Sequence, residues 1–257
     1  LHLIVAYIKF LFKSTNQHGV HSPFVYNLLT KCLYIKKERP AHAKLKSYIK
    51  AILNDSQIIK VTDFGAGSRV FKSTNRKVSD IAKNAGISQH RAILLNKLVS
   101  YFQFNNGLEL GTSVGIASAA ISQDNSIQLI TLEGCPETAG IAQKYFNKFK
   151  LKNIKVNVGE FDDLLEGITK NHDKMDLIYF DGNHQKTPTL KYFNQLLPLA
   201  HNNSVFIFDD IHWSKEMEEA WEEIKAHPQV RVSIDSFFWG IVFFRKEQEK
   251  EHFTIRL

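Results

Sequence analysis

The sequence predicts an α/β protein: a doubly wound, seven-stranded sheet, mostly parallel with an antiparallel C-terminal hairpin, preceded by a helical extension. Two observations lead there. From Gly107 onward, short β-prone runs alternate with helical stretches, the pattern of a parallel sheet covered on both faces. Residues 1–105 read differently, as a series of helices.

In chain order, the β-prone runs are Leu108–Leu110, Ile127–Leu132, Ile154–Val158, Leu177–Phe180, Val205–Phe208, Val230–Ile234 and Ile241–Phe244. Helical stretches fall between them at Ile116–Ser122, Pro136–Lys150, Phe161–Thr169, Thr187–Ala200 and Trp213–Ala226. Only residues 235–240 separate the last two runs, too few for a crossover and suited to a hairpin. The extension predicts helices over 3–14, 23–36, 41–54, 76–85 and 88–104, with Pro23 and Pro40 at helix starts and a loop over 17–23. The expected division is a helical cap over 1–105 and a ligand-binding domain over 106–257.

A hydrophobic content of 44% and a charged content of 23% exclude a disordered or fibrous chain. Cys32 and Cys135 match no metal spacing and read as small buried apolar residues in a reducing compartment, which predicts a cytoplasmic protein. The apolar run Leu1–Phe12 is shorter than the roughly 20 residues a membrane span needs. With no basic leader or cleavage site, it reads as a packed or interfacial helix. Net charge is +7, with the densest lysines over 144–155 interleaved with aromatics. A nucleic-acid stripe has that look, but so does the solvated face of an amphipathic helix, the reading preferred here.

Two glycine-rich stretches compete for a ligand. Leu108-Glu109-Leu110-Gly111-Thr112-Ser113-Val114-Gly115 leads from a strand into a helix, then to a second strand that ends in Glu133. An acid in that position is placed to accept hydrogen bonds from both ribose hydroxyls of a nucleoside. Around Gly65–Arg69 the downstream chain carries no such strand and acid, so that loop reads as substrate-side or structural. The Gly111-x-x-x-Gly115 spacing also departs from the G-x-G-x-x-G expected of a dinucleotide site.

With these residues, the chain over about 88–245 resembles the class I S-adenosylmethionine-dependent methyltransferases, whose sheet is Rossmann-like. The resemblance implies that S-adenosylmethionine is the cofactor, with Glu109 and Gly111 facing its methionine end alongside Thr112, Ser113 and Gly115. It implies that Glu133 holds the ribose and that Gly159, Glu160 and Phe161 border the adenine. Asp163 reads equally as a first-turn acid that favours the positive end of a helix.

The fourth strand ends in Phe180-Asp181-Gly182-Asn183-His184 and the fifth in Phe208-Asp209-Asp210-Ile211-His212-Trp213. Clustered acids at the carboxyl edge of such a sheet need a compensating cation or proton. This arrangement resembles the catechol-type, metal-dependent O-methyltransferases. The resemblance implies Asp181, Asp209 and Asp210 as ligands of Mg²⁺ or another divalent cation, with Asp181 also at the cofactor. Where that family has its catalytic lysine this chain has His184, a candidate base together with Asp181. Asp209 and Asp210 read equally as a helix cap and a first-turn acid. Trp213, Phe237, Phe238 and Trp239 are possible substrate walls that read better as packing, and His18, His21 and Arg69 are possible acceptor contacts that read better as solvated loop residues.

The expected activity is methyl transfer to a hydroxyl or carboxyl of a small molecule. A nucleic-acid methyltransferase acting on base amino groups is disfavoured, because Asp181-Gly182-Asn183-His184 lacks the Asn/Asp-Pro-Pro-aromatic run such enzymes use. A non-catalytic S-adenosylmethionine sensor is the other alternative, though it has no need of Asp209 and Asp210. Oligomeric state stays open.

Overall fold

The β–α alternation expected after residue 107 is present in the computed structural model, which describes residues 2–62 and 73–257. The Gly65–Arg69 loop, with Arg69, lies outside the described residues. In chain order the elements are α1 (His2–Lys13), α2 (Pro23–Leu28), α3 (Pro40–Leu53), β1 (Ile58–Lys60), β2 (Asn75–Lys77), α4 (Val78–Ala85), α5 (Gln89–Phe102), β3 (Asn106–Leu110) and α6 (Ile116–Ser122). They continue with β4 (Gln128–Glu133), α7 (Pro136–Lys148), β5 (Ile154–Val158), α8 (Phe161–Asn171), β6 (Leu177–Phe180), α9 (Lys186–Leu196), β7 (Val205–Asp209), α10 (Lys215–Ala226), β8 (Val232–Asp235), β9 (Trp239–Phe243) and β10 (Glu251–Thr254). The chain forms two compact units, residues 36–166 and residues 1–35 with 167–257.

In the 36–166 unit, β3, β4 and β5 are parallel, with Leu110 opposite Leu132 and Glu133 opposite Val158. Both β3 and β4 therefore deliver their last residues to one edge. Helix α6 is buried along its whole length, which suits its run of alanines and isoleucines. Helix α5 packs on it, and the Asn96 amide donates to the carbonyls of Ala120 and Gln123 at 2.9 and 2.8 Å, closing the end of α6. Pro136 opens α7, where its missing N–H costs no hydrogen bond. The lysines of that helix are solvated: Lys144 and Lys148 are exposed and lie over the Tyr145 ring.

In the other unit, β6 and β7 are parallel and fully buried, as continuous apolar runs require. The hairpin forms as expected, β9 pairing antiparallel with both β7 and β8. An eighth strand joins the seven expected: β10 runs parallel to β8. Its sequence, Glu251-His252-Phe253-Thr254, has too little apolar alternation to announce a strand.

Candidate functional site

The glycine loop is built from below. Gly111 adopts φ +100° and Ser113 φ +49°, and the backbone N–H groups of Gly111 and Thr112 both donate to the carbonyl of Leu132 at 3.0 Å. The end of β3 is thereby pinned to the end of β4. Gly115 has φ +84°, and a Cβ there would stand 2.6 Å from the Phe146 ring and 2.8 Å from the Tyr48 hydroxyl. Side chains packed over that glycine leave no room for a Cβ.

Glu133 is half-buried at the end of β4. Its Oε2 accepts from the Ser113 N–H at 2.8 Å and its Oε1 from the Cys135 N–H at 3.0 Å. These two bonds aim the carboxylate from the backbone. Gly159, with φ +153°, donates its N–H to the Glu133 carbonyl at 3.0 Å, which brings the end of β5 to the same edge. Glu160 is exposed and Phe161 half-buried at the start of α8, whose first turn carries Asp162 and Asp163.

Glu109 lies beneath this surface and is fully buried. Its Oε2 accepts from the hydroxyls of Ser118 and Thr131, the latter at 2.6 Å, and Thr112 joins the chain through Thr131 at 2.6 Å. Oε1 is buried with no partner among the described residues. Burial lifts the carboxyl to about 8; the two hydroxyls pull it down and the Glu133 charge pushes it up. Through Ser118, Thr131 and Thr112 the buried Glu109 supports the loop. Thr112 and Gly115 are buried too, whereas Gly111, Ser113 and Glu133 are partly exposed.

At the end of β6, Asp181 and His184 form a partly exposed pair, Oδ1 to Nε2 3.8 Å. Between them Asn183 takes φ +52°, and its side-chain oxygen is buried with no partner among the described residues, a feature the sequence did not single out. Asp209 is buried at the end of β7; its Oδ2 accepts from the Tyr179 hydroxyl at 2.8 Å and its Oδ1 from the Asp210 N–H at 2.9 Å. The divalent cation that the catechol-type resemblance implies does not fit this arrangement. Among the described residues no group of three or more His, Cys, Asp or Glu is placed to hold a metal ion. Asp181, Asp209 and Asp210 are thus not assembled as a ligand set.

His212 is held between two acids, Nδ1 to Glu218 at 2.8 Å and Nε2 to Asp235 at 3.0 Å, and stacks on Phe237 at 5.1 Å. Burial alone pulls its pKa down, but the hydrogen bonds and charges of Asp235 and then Glu218 outweigh it, so the imidazole is raised. Phe237 and Trp239 are core residues, Trp213 is half-buried and Phe238 exposed. His18 and His21 are exposed loop residues.

Residues 107–211 match a family model described as a methyltransferase domain. No curated protein sequence matches the chain. Its fold is shared with an O-methyltransferase from Bacillus cereus solved with S-adenosylhomocysteine, at 18% identity and a TM-score of 0.55, covering 85% of this chain and 96% of that one. The O-methyltransferase TomG from Streptomyces achromogenes, involved in tomaymycin synthesis and solved with S-adenosylmethionine, aligns at 16% identity and a TM-score of 0.57 over 90% and 99%. The Podospora anserina methyltransferase PaMTH1, bound to S-adenosylhomocysteine, aligns at 11% identity and a TM-score of 0.59 over 89% and 98%. The chain therefore shares its fold with these methyltransferases, and its glycine loop and Glu133 occupy the edge where β3 and β4 end.

Proposed function

We propose that the methyltransferase domain transfers a methyl group from S-adenosylmethionine to an oxygen of a small-molecule acceptor. The observation that carries the reading is Glu133: a half-buried carboxylate at a strand end, aimed by two backbone N–H groups. A partly exposed glycine loop beside it fits a nucleoside cofactor with an amino-acid end.

Bound S-adenosylmethionine supplies a methyl group activated by its sulfonium. The chain's own residues then do three things. Glu133 accepts from the ribose hydroxyls, while Gly111 and Ser113 offer backbone to the amino-acid end and Gly159, Glu160 and Phe161 flank the base. Glu109, through Ser118, Thr131 and Thr112, keeps the loop in place. Asp181 steadies His184 at Nε2, and His184 takes the acceptor hydroxyl's proton at Nδ1 as oxygen attacks. No step passes through a cation. In this reading residues 106–257 are the catalytic domain, residues 1–105 its helical extension, and the two buried cysteines suit the reducing cytoplasm.

Calorimetry with S-adenosylhomocysteine on the native chain and on Glu133→Ala tests the cofactor reading, and absence of binding to the native chain refutes it. Labelled-methyl transfer to a panel of phenols and carboxylic acids tests the acceptor. Tight cofactor binding with no turnover on any of them favours a non-catalytic binder, and turnover on nucleic acid alone favours the other alternative.

A further inference from the structure

Helix α1 is docked by a narrow stripe. Ala6 and Phe10 are buried against Phe237, with the Tyr7 ring edge-on to Phe237 at 4.8 Å. At 100° per residue, Tyr7, Leu11, Ile4, Ile8, Phe12 and Val5 follow one another around an arc of roughly 160° on the side away from that stripe. All six are exposed, from 37% for Leu11 to 88% for Phe12. A continuous apolar face of this kind on a single helix is a contact surface.

Charge identifies its partner. Lys9, Lys13 and His2 run along one border of the arc, between the apolar face and the docked stripe. Residues 1–37 contain five lysines, Lys9, Lys13, Lys31, Lys36 and Lys37, and no Asp or Glu. Past Lys13 the surface turns polar: Ser14, Thr15, Asn16, Gln17, Tyr34 and Arg256 line an open cavity of about 350 Å³. A second copy packed on the arc would set one acid-free, lysine-bearing segment against another. An anionic lipid surface offers acyl chains to the apolar arc and negative headgroups to the lysines at its border. No helix among the described residues is long and apolar enough to cross a membrane.

We propose that α1 is a membrane-surface anchor that seats the protein on anionic lipid, with Ile4, Ile8 and Phe12 in the acyl boundary and Lys9 and Lys13 snorkelling to the headgroups. Flotation of the full chain with phosphatidylcholine vesicles, with and without phosphatidylglycerol, tests this at low and high salt. The expected result is binding to the phosphatidylglycerol vesicles, release by high salt, and at least about tenfold weaker binding to phosphatidylcholine alone. Ile8→Asp with Phe12→Asp abolishes binding, and Lys9→Gln with Lys13→Gln weakens it roughly 30-fold. These side chains are exposed, and an unchanged circular dichroism spectrum confirms that each variant folds. A folded native chain that ignores phosphatidylglycerol vesicles overturns the proposal. So does light scattering that shows a dimer dissociated by the same two aspartates in a chain with no vesicle binding, which assigns the face to a second copy.

Discussion

Replacing Glu109 with Gln is expected to change how the stability of the protein depends on pH. The carboxyl rises from 4.5 to about 8 on burial, so between those values the unfolded chain gives up a proton that the folded chain keeps. Stability therefore falls as pH rises through that window. The slope is about 1.4 kcal/mol per pH unit, and the whole window amounts to at most about 5 kcal/mol. Gln removes the titration but keeps an oxygen to accept from Ser118 and Thr131. Its amide nitrogen takes the place of Oε1, which has no partner among the described residues, and that adds a cost of about 1–3 kcal/mol independent of pH. Slope and offset are thus separable. Urea unfolding followed by circular dichroism between about pH 5 and pH 8 should show the variant gaining steadily on the native chain as pH rises. Two curves that stay parallel would mean Glu109 is already ionised in the folded state, and the desolvation reasoning would fail.

Gly115→Ala should lower stability by about 2–4 kcal/mol, read as a fall in thermal midpoint, because φ is +84° and the new methyl meets Phe146 and Tyr48. Glu133→Gln should weaken S-adenosylhomocysteine binding about 10- to 100-fold by calorimetry, the range for losing charge-assisted hydrogen bonds to hydroxyls. The raised His212 imidazole contributes stability that is fully present below about pH 6.5 and lost as pH rises through its folded value. Asp235→Asn should flatten that loss, and an NMR titration of His212 should move toward lower pH.

Much of the fold was legible because it is written in short stretches of chain. The runs Ile154–Val158 and Leu177–Phe180 announced themselves as strands, and both form with those bounds. Pro23 and Pro136 do open helices, and residues 235–240 do close a hairpin. The extended helix expected over 23–36 is broken: α2 ends at Leu28 and a wider π-type turn follows over Leu29–Leu33, with no proline or glycine to signal the change. Strand β10 escaped notice since its pairing with β8, not its own pattern, makes it a strand.

By itself, the sequence determined the order of strands and helices, the glycine loop and the acid at the end of the second parallel strand. Those depend on periodicity and turn chemistry between near neighbours. Tertiary structure alone decided what each polar group faces. Glu109 sits in the loop motif yet lies under it, because Ser118 and Thr131 close over its carboxyl. Asp209 reads as a free strand-end acid, yet Tyr179, 30 residues earlier, occupies one of its oxygens. Gly115 reads as room for a ligand, but Tyr48 reaches over it to bond the Val114 carbonyl from 66 residues away. Burial and hydrogen-bond partnership are set by residues distant in the chain, so a local pattern names the chemical groups without saying which of them remain available to a ligand.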